Sequence, residues 1–250
     1  MRFVRLAIWK LWRFLAAGMW WGFGLWATLS IFFTAPGPGW VGYLLAALVA
    51  ALFMAASRER FHFYQWGGLT WREKRVTSLA LAATGMILIY YVGFVVPNPN
   101  EEWSLEQARM PIVKIDGDKV HVQNVRNFTW RSATDFTPGF YNRTYDLNKL
   151  DSMYYVVASM KKWEGVAHVF VCFGFSDGQH VAVSVEGRRV KGRPYRVIAS
   201  MFRQFQMIYV IGDERDVVGL RGAIWGDPVY FYPARTTNER KRAIFVDMME

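Results

Sequence analysis

A long stretch without charge constrains the first third of the chain more than any other feature. Residues 14–57 contain no Asp, Glu, Lys or Arg. A helix that crosses the hydrocarbon core, about 30 Å thick, needs about 20 mostly apolar residues. The stretch is long enough for two such helices, and a Pro-Gly-Pro-Gly sequence at 36–39 divides it with a tight turn. The chain is therefore predicted to be an integral membrane protein.

Three apolar runs have the length of a membrane-spanning helix. The predicted spans are residues 14–33, 40–56 and 79–96, and a Pro-Asn-Pro sequence follows the third. A cleaved signal peptide is the competing interpretation of the first run, because basic residues precede it. That run is too long for a signal peptide, however, and a second run follows almost at once. Residues 1–96 are therefore predicted to form a transmembrane anchor.

Basic residues are unevenly distributed around these spans. Nine Lys/Arg and two Glu precede Pro97, whereas 21 Lys/Arg and 18 Asp/Glu follow. Four basic residues precede the first span, five lie between the second and third, and the turn at 36–39 has none. The positive-inside rule therefore places the N-terminus and the 57–75 loop in the cytoplasm. Everything after Pro97 is predicted to lie on the opposite side.

The net charge of +10 does not indicate a nucleic-acid partner, because most of the basic excess belongs to the membrane half. No nucleic-acid-binding motif occurs in the chain. Cys172 is the only cysteine, so neither an internal disulfide nor a cysteine-based metal site can form. The four histidines have no metal-ligand spacing. We expect no metal and no cofactor.

The remainder of the chain has the pattern of a mixed α+β domain. Residues 97–111 are predicted to be a short tether and residues 112–250 the domain. A β-hairpin is predicted around Asp116-Gly117-Asp118, further strands are predicted at the apolar runs 153–159, 206–211 and 229–232, and residues 127–148 are polar, aromatic and rich in turn residues. Helices are predicted to begin at Asp213 and Thr237. The last helix has no stop signal before Glu250, so we expect a chain cut inside this helix or a naturally incomplete domain.

The strongest local signal is an Asp-Gly pair at 177–178 between two strand-like runs, which is typical of a hairpin. A two-residue loop would place His168 opposite Gly187. A three-residue loop with a left-handed glycine would place His168 opposite Glu186. One residue of slip moves Glu186 to the other face of the sheet. The three-residue loop is preferred because it gives the histidine a carboxylate partner.

This pairing makes His168 and Glu186 candidate catalytic residues, as a general base and the group that orients it. The ordinary alternative is a core or edge histidine bonded to the backbone. A dyad of His168 with Cys172 is disfavoured, because four residues along a strand span about 13 Å. A cysteine in an apolar strand is more often a small core residue than a nucleophile.

A basic loop follows the second run of the hairpin. If the domain lies near a membrane, this loop is a candidate site for anionic lipid headgroups. A solvated loop without a ligand is the alternative interpretation. The candidate residues are Arg188, Arg189, Lys191 and Arg193.

Several short segments, taken in order, carry a resemblance to a known family. They are Ala-His-Val-Phe-Val-Cys-Phe-Gly-Phe at 167–175, Asp-Gly at 177–178, Val-Ser-Val-Glu at 183–186, Arg-Arg at 188–189, Phe-Arg-Gln-Phe at 202–205, Ile-Tyr-Val at 208–210, Asp-Glu-Arg-Asp at 213–216 and Val-Tyr-Phe-Tyr-Pro at 229–233. From about residue 124 to residue 250 the chain resembles the periplasmic domain of the Lnb-type lipoprotein N-acyltransferase family, long described as a bacterial domain of unknown function.

The resemblance implies a papain/NlpC-like α+β fold in the periplasm, on a multi-pass anchor in a bacterial inner membrane. It also implies acyl transfer from a phospholipid, through a cysteine thioester, to the N-terminal amine of lipoproteins. His168 matches the histidine of the family, and Glu186 falls in its Ser-Val-Glu segment with a supporting role.

The nucleophile of the family lies beyond the last helix, in an Asn-Asn-Cys-Thr stretch that residues 1–250 do not contain. A Cys–His enzyme without its cysteine has no atom to carry the acyl group. The chain as given is therefore expected to be inactive unless that cysteine is supplied. The alternatives are a non-catalytic, membrane-anchored module that binds lipid or lipoprotein, and a cell-wall peptidase of the same fold class.

Overall fold

The computed structural model describes residues 2–66, 71–161, 164–194 and 196–250. Contacts between residues divide the chain into two units. The anchor unit consists of Met1–Asn98 and Arg196–Phe205, and the sheet unit of Pro99–Tyr195 and Gln206–Glu250. Each unit has its own hydrophobic core.

Three long helices form most of the anchor unit, as predicted. They are α1 (Arg2–Thr34), α2 (Gly39–Trp66) and α3 (Trp71–Gly93). Each contains a segment long and apolar enough to cross a membrane: Ala7–Thr34, Gly39–Arg58 and Lys74–Gly93. The third span ends at Gly93, three residues before its predicted end. Within the predicted 57–75 loop, residues 57–66 continue α2 and residues 71–75 begin α3, and residues 67–70 lie outside the described part of the chain.

Small residues allow the three helices to approach closely. Ala27, Ala56 and Ala80 are completely buried. A Cβ atom at Gly24 would lie 2.6 Å from the ring of Phe53, so only glycine fits there. The indole of Trp20 donates a hydrogen bond to the Ser57 hydroxyl (2.8 Å). This bond satisfies a polar group inside a span.

A mixed sheet with short helices forms the sheet unit, which confirms the predicted α+β class. Its strands are β1 (Ile112–Asp116), β2 (Lys119–Arg126), β3 (Thr129–Trp130), β4 (Phe136–Thr137), β5 (Phe140–Asp146), β6 (Leu150–Ser159), β7 (Ala167–Phe175), β8 (His180–Gly187), β9 (Met207–Gly212) and β10 (Val229–Pro233). The main sheet has the order β1-β2-β9-β8-β7-β6-β10, and β5 also pairs with β2. Among the described residues, only β2 and β9 pair in parallel.

The described residues also form four shorter α-helices: α4 (Leu105–Ala108), α5 (Val197–Ser200), α6 (Glu214–Gly219) and α7 (Asn238–Met249). The first lies within the predicted tether, and the second belongs to the anchor unit. Asp213 caps α6 by accepting from the Arg215 N–H (3.0 Å), and Thr237 caps α7 by accepting from the Arg240 N–H (3.4 Å). Both predicted helix starts are confirmed.

The two faces of the central strands pack against different helices, because successive side chains of a strand point to opposite faces. On one face Phe245 of α7 packs against Phe173 and Phe175 of β7. On the other face Val217 of α6 belongs to a cluster with Phe170 and Cys172. His168 shares this second face by alternation, near the beginning of β7.

Candidate functional site

The β7–β8 hairpin has the three-residue loop that the sequence favours. The Phe175 N–H donates to the Gln179 carbonyl (2.9 Å), which closes the loop around residues 176–178. Gly178 has a φ of +81°, a left-handed conformation that costs glycine little. The ladder above the loop pairs Gly174 with His180. The preferred register is therefore confirmed, and it brings His168 and Glu186 to the same end of the hairpin.

Ser184 lies between these two side chains. The Nε2 atom of His168 lies 2.7 Å from the Ser184 hydroxyl oxygen, and that hydroxyl donates to Oε1 of Glu186 at 3.2 Å. The direct distance from Nε2 to Oε1 is 3.9 Å, too long for a hydrogen bond. Glu186 thus acts on the histidine through a serine. Ser184 is two residues before Glu186 and therefore lies on the same face of β8. This spacing is the signal in the sequence that could have identified Ser184 as part of the site.

The hydroxyl fixes which nitrogen of the ring carries the proton. A serine hydroxyl has one hydrogen, and Ser184 uses it toward Glu186. Its oxygen must therefore accept from Nε2–H of His168, which leaves the lone pair on Nδ1. None of the residues that the structure describes forms a hydrogen bond with Nδ1. The basic nitrogen of the ring is thus left for a reacting group.

Glu186 is held by two further side chains from distant parts of the sequence. The Gln107 amide in α4 donates to Oε2 (3.1 Å), and the Arg221 guanidinium donates to Oε1 (3.1 Å). Burial raises the pKa of Glu186, but the positive charges of Arg221 and then Arg126 outweigh it, so this pKa lies below its usual value. Glu186 is therefore an anion at neutral pH. Sequence analysis missed both Gln107 and Arg221.

Arg221 lies in a π-helical turn, Leu220–Ile224, in which the Trp225 N–H donates to the Leu220 carbonyl (3.0 Å). Such turns are rare and are found frequently at functional sites. The guanidinium also lies 5.0 Å from the centre of the Trp225 ring. The Arg221 side chain is only 6% exposed, so Glu186 is the partner of a buried cation.

Burial and the positive charge of Arg221 lower the pKa of His168 to about 4, although Glu186 offsets part of this shift. The imidazole is therefore neutral at pH 7 and is able to accept a proton. Because the pKa is lower in the folded chain, the stabilisation from this group is complete above the unfolded value, about 6.5. This stabilisation is lost as the pH falls from about 6.5 toward about 4.

Cys172 does not join this site. It is buried, and burial raises the pKa of its thiol, so the thiolate is disfavoured. It lies four residues from His168 along β7, about 13 Å at strand spacing. A thiol needs a base within hydrogen-bond distance to become a nucleophile. The structure agrees with the argument from spacing against a dyad with His168.

The prediction that Arg188 binds lipid headgroups is wrong, because the structure buries this side chain. Only 8% of the residue is exposed. Its guanidinium donates to the carbonyls of Gln107 and Ala108 (3.0 Å each) and to the side chain of Gln206 (3.1 Å). Arg188 instead fixes α4, and with it Gln107, beside Glu186.

The other three basic residues of the loop are more accessible. Arg189 is half-buried and lies 5.9 Å from the ring of Trp225. Lys191 pairs with Glu102, and Arg193 lies 3.5 Å from Glu101. Headgroup binding by these three stays a prediction.

Removing the charge of Arg221 should raise the pKa of His168, because that charge opposes protonation of the ring. We expect Arg221→Gln to move this pKa upward from about 4, and Arg221→Lys to change it less. NMR titration of the His168 imidazole in the full chain measures both values, with the unsubstituted chain as the reference. An unchanged pKa in Arg221→Gln would contradict this electrostatic account.

Comparison with known proteins relates the C-terminal part of the chain to one family. Residues 136–250 match the family model described as the Lnb N-terminal periplasmic domain. The matched range includes His168, Ser184, Glu186 and Arg221, whereas Gln107 lies before it. No curated protein and no solved structure matches the chain. The protein is therefore a membrane protein with a periplasmic domain, and its residues 136–250 are similar to the Lnb N-terminal periplasmic domain family.

Proposed function

We propose that this protein takes part in acyl transfer at the outer face of a bacterial inner membrane, with His168 as the general base. The donor is a phospholipid, and the acceptor is the α-amino group of a lipoprotein's N-terminal cysteine. The observation that supports this most is the Glu186–Ser184–His168 chain of hydrogen bonds. It holds the proton on Nε2 and leaves Nδ1 as the base, as a thiol nucleophile would require.

In the first half of the proposed reaction, Nδ1 of His168 takes the proton of a cysteine thiol. The thiolate attacks the ester carbonyl of the phospholipid and forms a thioester. The imidazolium returns its proton to the departing alkoxide, which leaves as a lysophospholipid. The anionic Glu186 stabilises the imidazolium through Ser184. General catalysis of this kind contributes about 10²- to 10⁴-fold.

In the second half, the lipoprotein amine attacks the thioester. Nδ1 takes the proton of the amine and returns it to the departing thiolate, which regenerates the thiol. Residues 1–250 contain one cysteine, Cys172, which is buried and distant from Nδ1. The proposal therefore requires a cysteine from another segment, in the same reading frame or on a second chain.

The topology is part of the same proposal. Three helices long enough to span a membrane, with basic residues before the first and between the second and third, are consistent with three passes and a cytoplasmic N-terminus. The sheet unit would then meet phospholipids and lipoproteins in the periplasm.

The N-termini of lipoproteins test the proposed function. In a strain that lacks the gene, mass spectrometry should find lipoproteins without the N-linked acyl chain, and the wild-type gene at its own locus should restore it. His168→Ala should reduce N-acylation by at least 100-fold. His121→Ala is the matched control, because His121 is a half-buried histidine on β2 that takes no part in the Glu186–Ser184–His168 chain and should not affect the reaction.

Full N-acylation with His168→Ala would contradict the proposal. The alternative of a non-catalytic lipid- or lipoprotein-binding module predicts that outcome. It also predicts that Arg189→Glu with Lys191→Glu abolishes function, since both side chains of the basic loop are more accessible than that of Arg188. Arg188 is unsuitable for that comparison because its substitution would disturb a buried hydrogen-bond network.

A further inference from the structure

Residues 196–205, called the interface segment below, belong to the anchor unit although they lie between β8 and β9 in the sequence. Phe202 is buried, and its ring stacks on that of Phe33 near the end of α1, with 5.3 Å between centroids and 22° between planes. An aromatic contact of this kind contributes beyond the burial of area. The segment is therefore packed against a predicted membrane span.

Arg203 fastens the same segment to the end of α3. Its Nη1 atom donates to the carbonyls of Tyr91 (3.1 Å) and Val92 (3.4 Å), and lies 3.5 Å from the carbonyl of Val95. The last carbonyls of a helix have no partner within the helix, and a cation at that end is favourable. The Tyr91 hydroxyl in turn donates to the Met201 carbonyl (3.3 Å). The segment thus caps α3.

The interface segment also presents large apolar side chains that the anchor unit does not cover. Val197, Ile198 and Met201 are 41%, 56% and 74% exposed. Phe94 and Val96, which follow α3 directly, are each 74% exposed. A cluster of exposed apolar side chains of this kind marks an interaction site or a membrane surface. Here it adjoins helices whose outer faces are themselves apolar.

We infer that the interface segment lies in the membrane, at the boundary between the headgroups and acyl chains of the outer leaflet. The chemistry that covers Val197, Ile198 and Met201 is that of phospholipid acyl chains. Two observations support lipid as the partner. The segment is fastened to the ends of two predicted spans, and its apolar side chains continue the exposed apolar surface of α1 and α3. The first residue of the segment, Arg196, is an exposed arginine that suits the headgroup layer.

This inference is independent of acyl transfer, since it concerns only where ten residues lie. It has a consequence for the sheet unit through the chain itself. The strand that carries Ser184 and Glu186 leads into the segment, and β9 follows it. The chain would therefore pass between the sheet unit and the anchor unit at three places: at 98–99, at 195–196 and at 205–206.

Fluorescence quenching in vesicles tests this position. Ile198→Cys carries an environment-sensitive NBD label in the full chain, reconstituted in phosphatidylcholine with phosphatidylglycerol. The wild type is the labelling blank, because Cys172 is buried. A nitroxide at carbon 5 of the lipid chain should quench the label more than one at carbon 12, and aqueous iodide should quench it weakly. Leu88→Cys in α3 is the control and should respond more to carbon 12.

Strong quenching by iodide without quenching by lipid nitroxides would overturn the inference, as would stronger quenching from carbon 12 than from carbon 5. A second variant tests the attachment. Arg203→Ala in the Ile198→Cys background should increase iodide quenching at least twofold, because the segment loses its bonds to α3. Lys114→Ala is the matched control, because Lys114 is an exposed cation on β1 outside the interface segment, and it should change iodide quenching less than twofold. Equal quenching in both variants would show that the Arg203 contacts do not hold the segment.

Discussion

Asp216→Ala should lower the free energy of unfolding of the sheet unit by about 3–5 kcal/mol, the cost of leaving a buried charge without its partner. Asp216 is almost completely buried. It accepts from Nε and Nη2 of Arg126 (2.8 and 3.1 Å), from the Phe128 N–H (2.9 Å) and from the Trp130 indole (2.7 Å). The alanine variant keeps the Arg126 cation buried and leaves four donors without their acceptor.

Pulse proteolysis of the full chain in detergent, over a range of urea concentrations, measures this loss through a C-terminal epitope. The matched control is Asp135→Ala, because Asp135 pairs with Arg131 and both side chains are more than half exposed. Exposed ion pairs contribute little, so the urea midpoint of the control should stay unchanged. Equal shifts in the two variants would show that burial does not set the strength of the Arg126–Asp216 pair.

Phe245→Ala should have an effect of similar size, about 3–5 kcal/mol, because it leaves a cavity in the main core. Phe245 is completely buried on α7. Its ring meets those of Phe173 (4.8 Å), Phe175 (5.6 Å) and Tyr145 (6.0 Å) nearly edge to face. The same proteolysis assay measures the loss.

Phe231→Ala on β10 is the control for Phe245→Ala. Phe231 is 42% exposed, and its ring contacts that of Tyr154 at the edge of the sheet. A much smaller shift of the urea midpoint is therefore expected. Phe245→Leu should recover part of the stability, because it fills part of the cavity. If Phe245→Ala unfolds at the same urea concentration as Phe231→Ala, α7 is not part of the cooperative core.

Local chemistry explains why some of this structure was predictable. The Asp-Gly pair at 177–178 defines a turn, and the turn defines the register of everything along the hairpin. The Asp-Gly pair left two registers open, and the one that pairs Glu186 with His168 is preferred because it gives the histidine a carboxylate partner. The helix caps at Asp213 and Thr237 are equally local, since each accepts a bond from a residue two or three positions away.

The rest of the site depends on contacts that no local pattern contains. Gln107 is 79 residues from Glu186, and Arg221 is 35 residues away. Neither lies in a recognisable motif, and an amide or a guanidinium in isolation looks like a surface group. Only the sheet order brings them together. The short strands β3 and β4 and the longer β5 likewise lie in 127–148, where turn residues obscured the alternation.

Arg188 illustrates the opposite error. A run of basic residues normally indicates a solvated loop, and the sequence gives no reason to separate Arg188 from Arg189. In the structure the carbonyls of Gln107 and Ala108 surround its guanidinium and offset the cost of burying the charge. The burial of Arg188 depends on its contacts with α4, and the sequence predicted that segment to be part of a tether.

The contact between Gln107 and Glu186 determines where a soluble version of this protein has to begin. A cut at Ile112, where the first strand starts, would remove the amide that holds the carboxylate and the backbone that receives Arg188. An expressed fragment should start at or before Pro99 to keep both. It would still carry Val197, Ile198 and Met201 without α1 and α3 beside them. Purification would then need a detergent, or polar substitutions at those three positions.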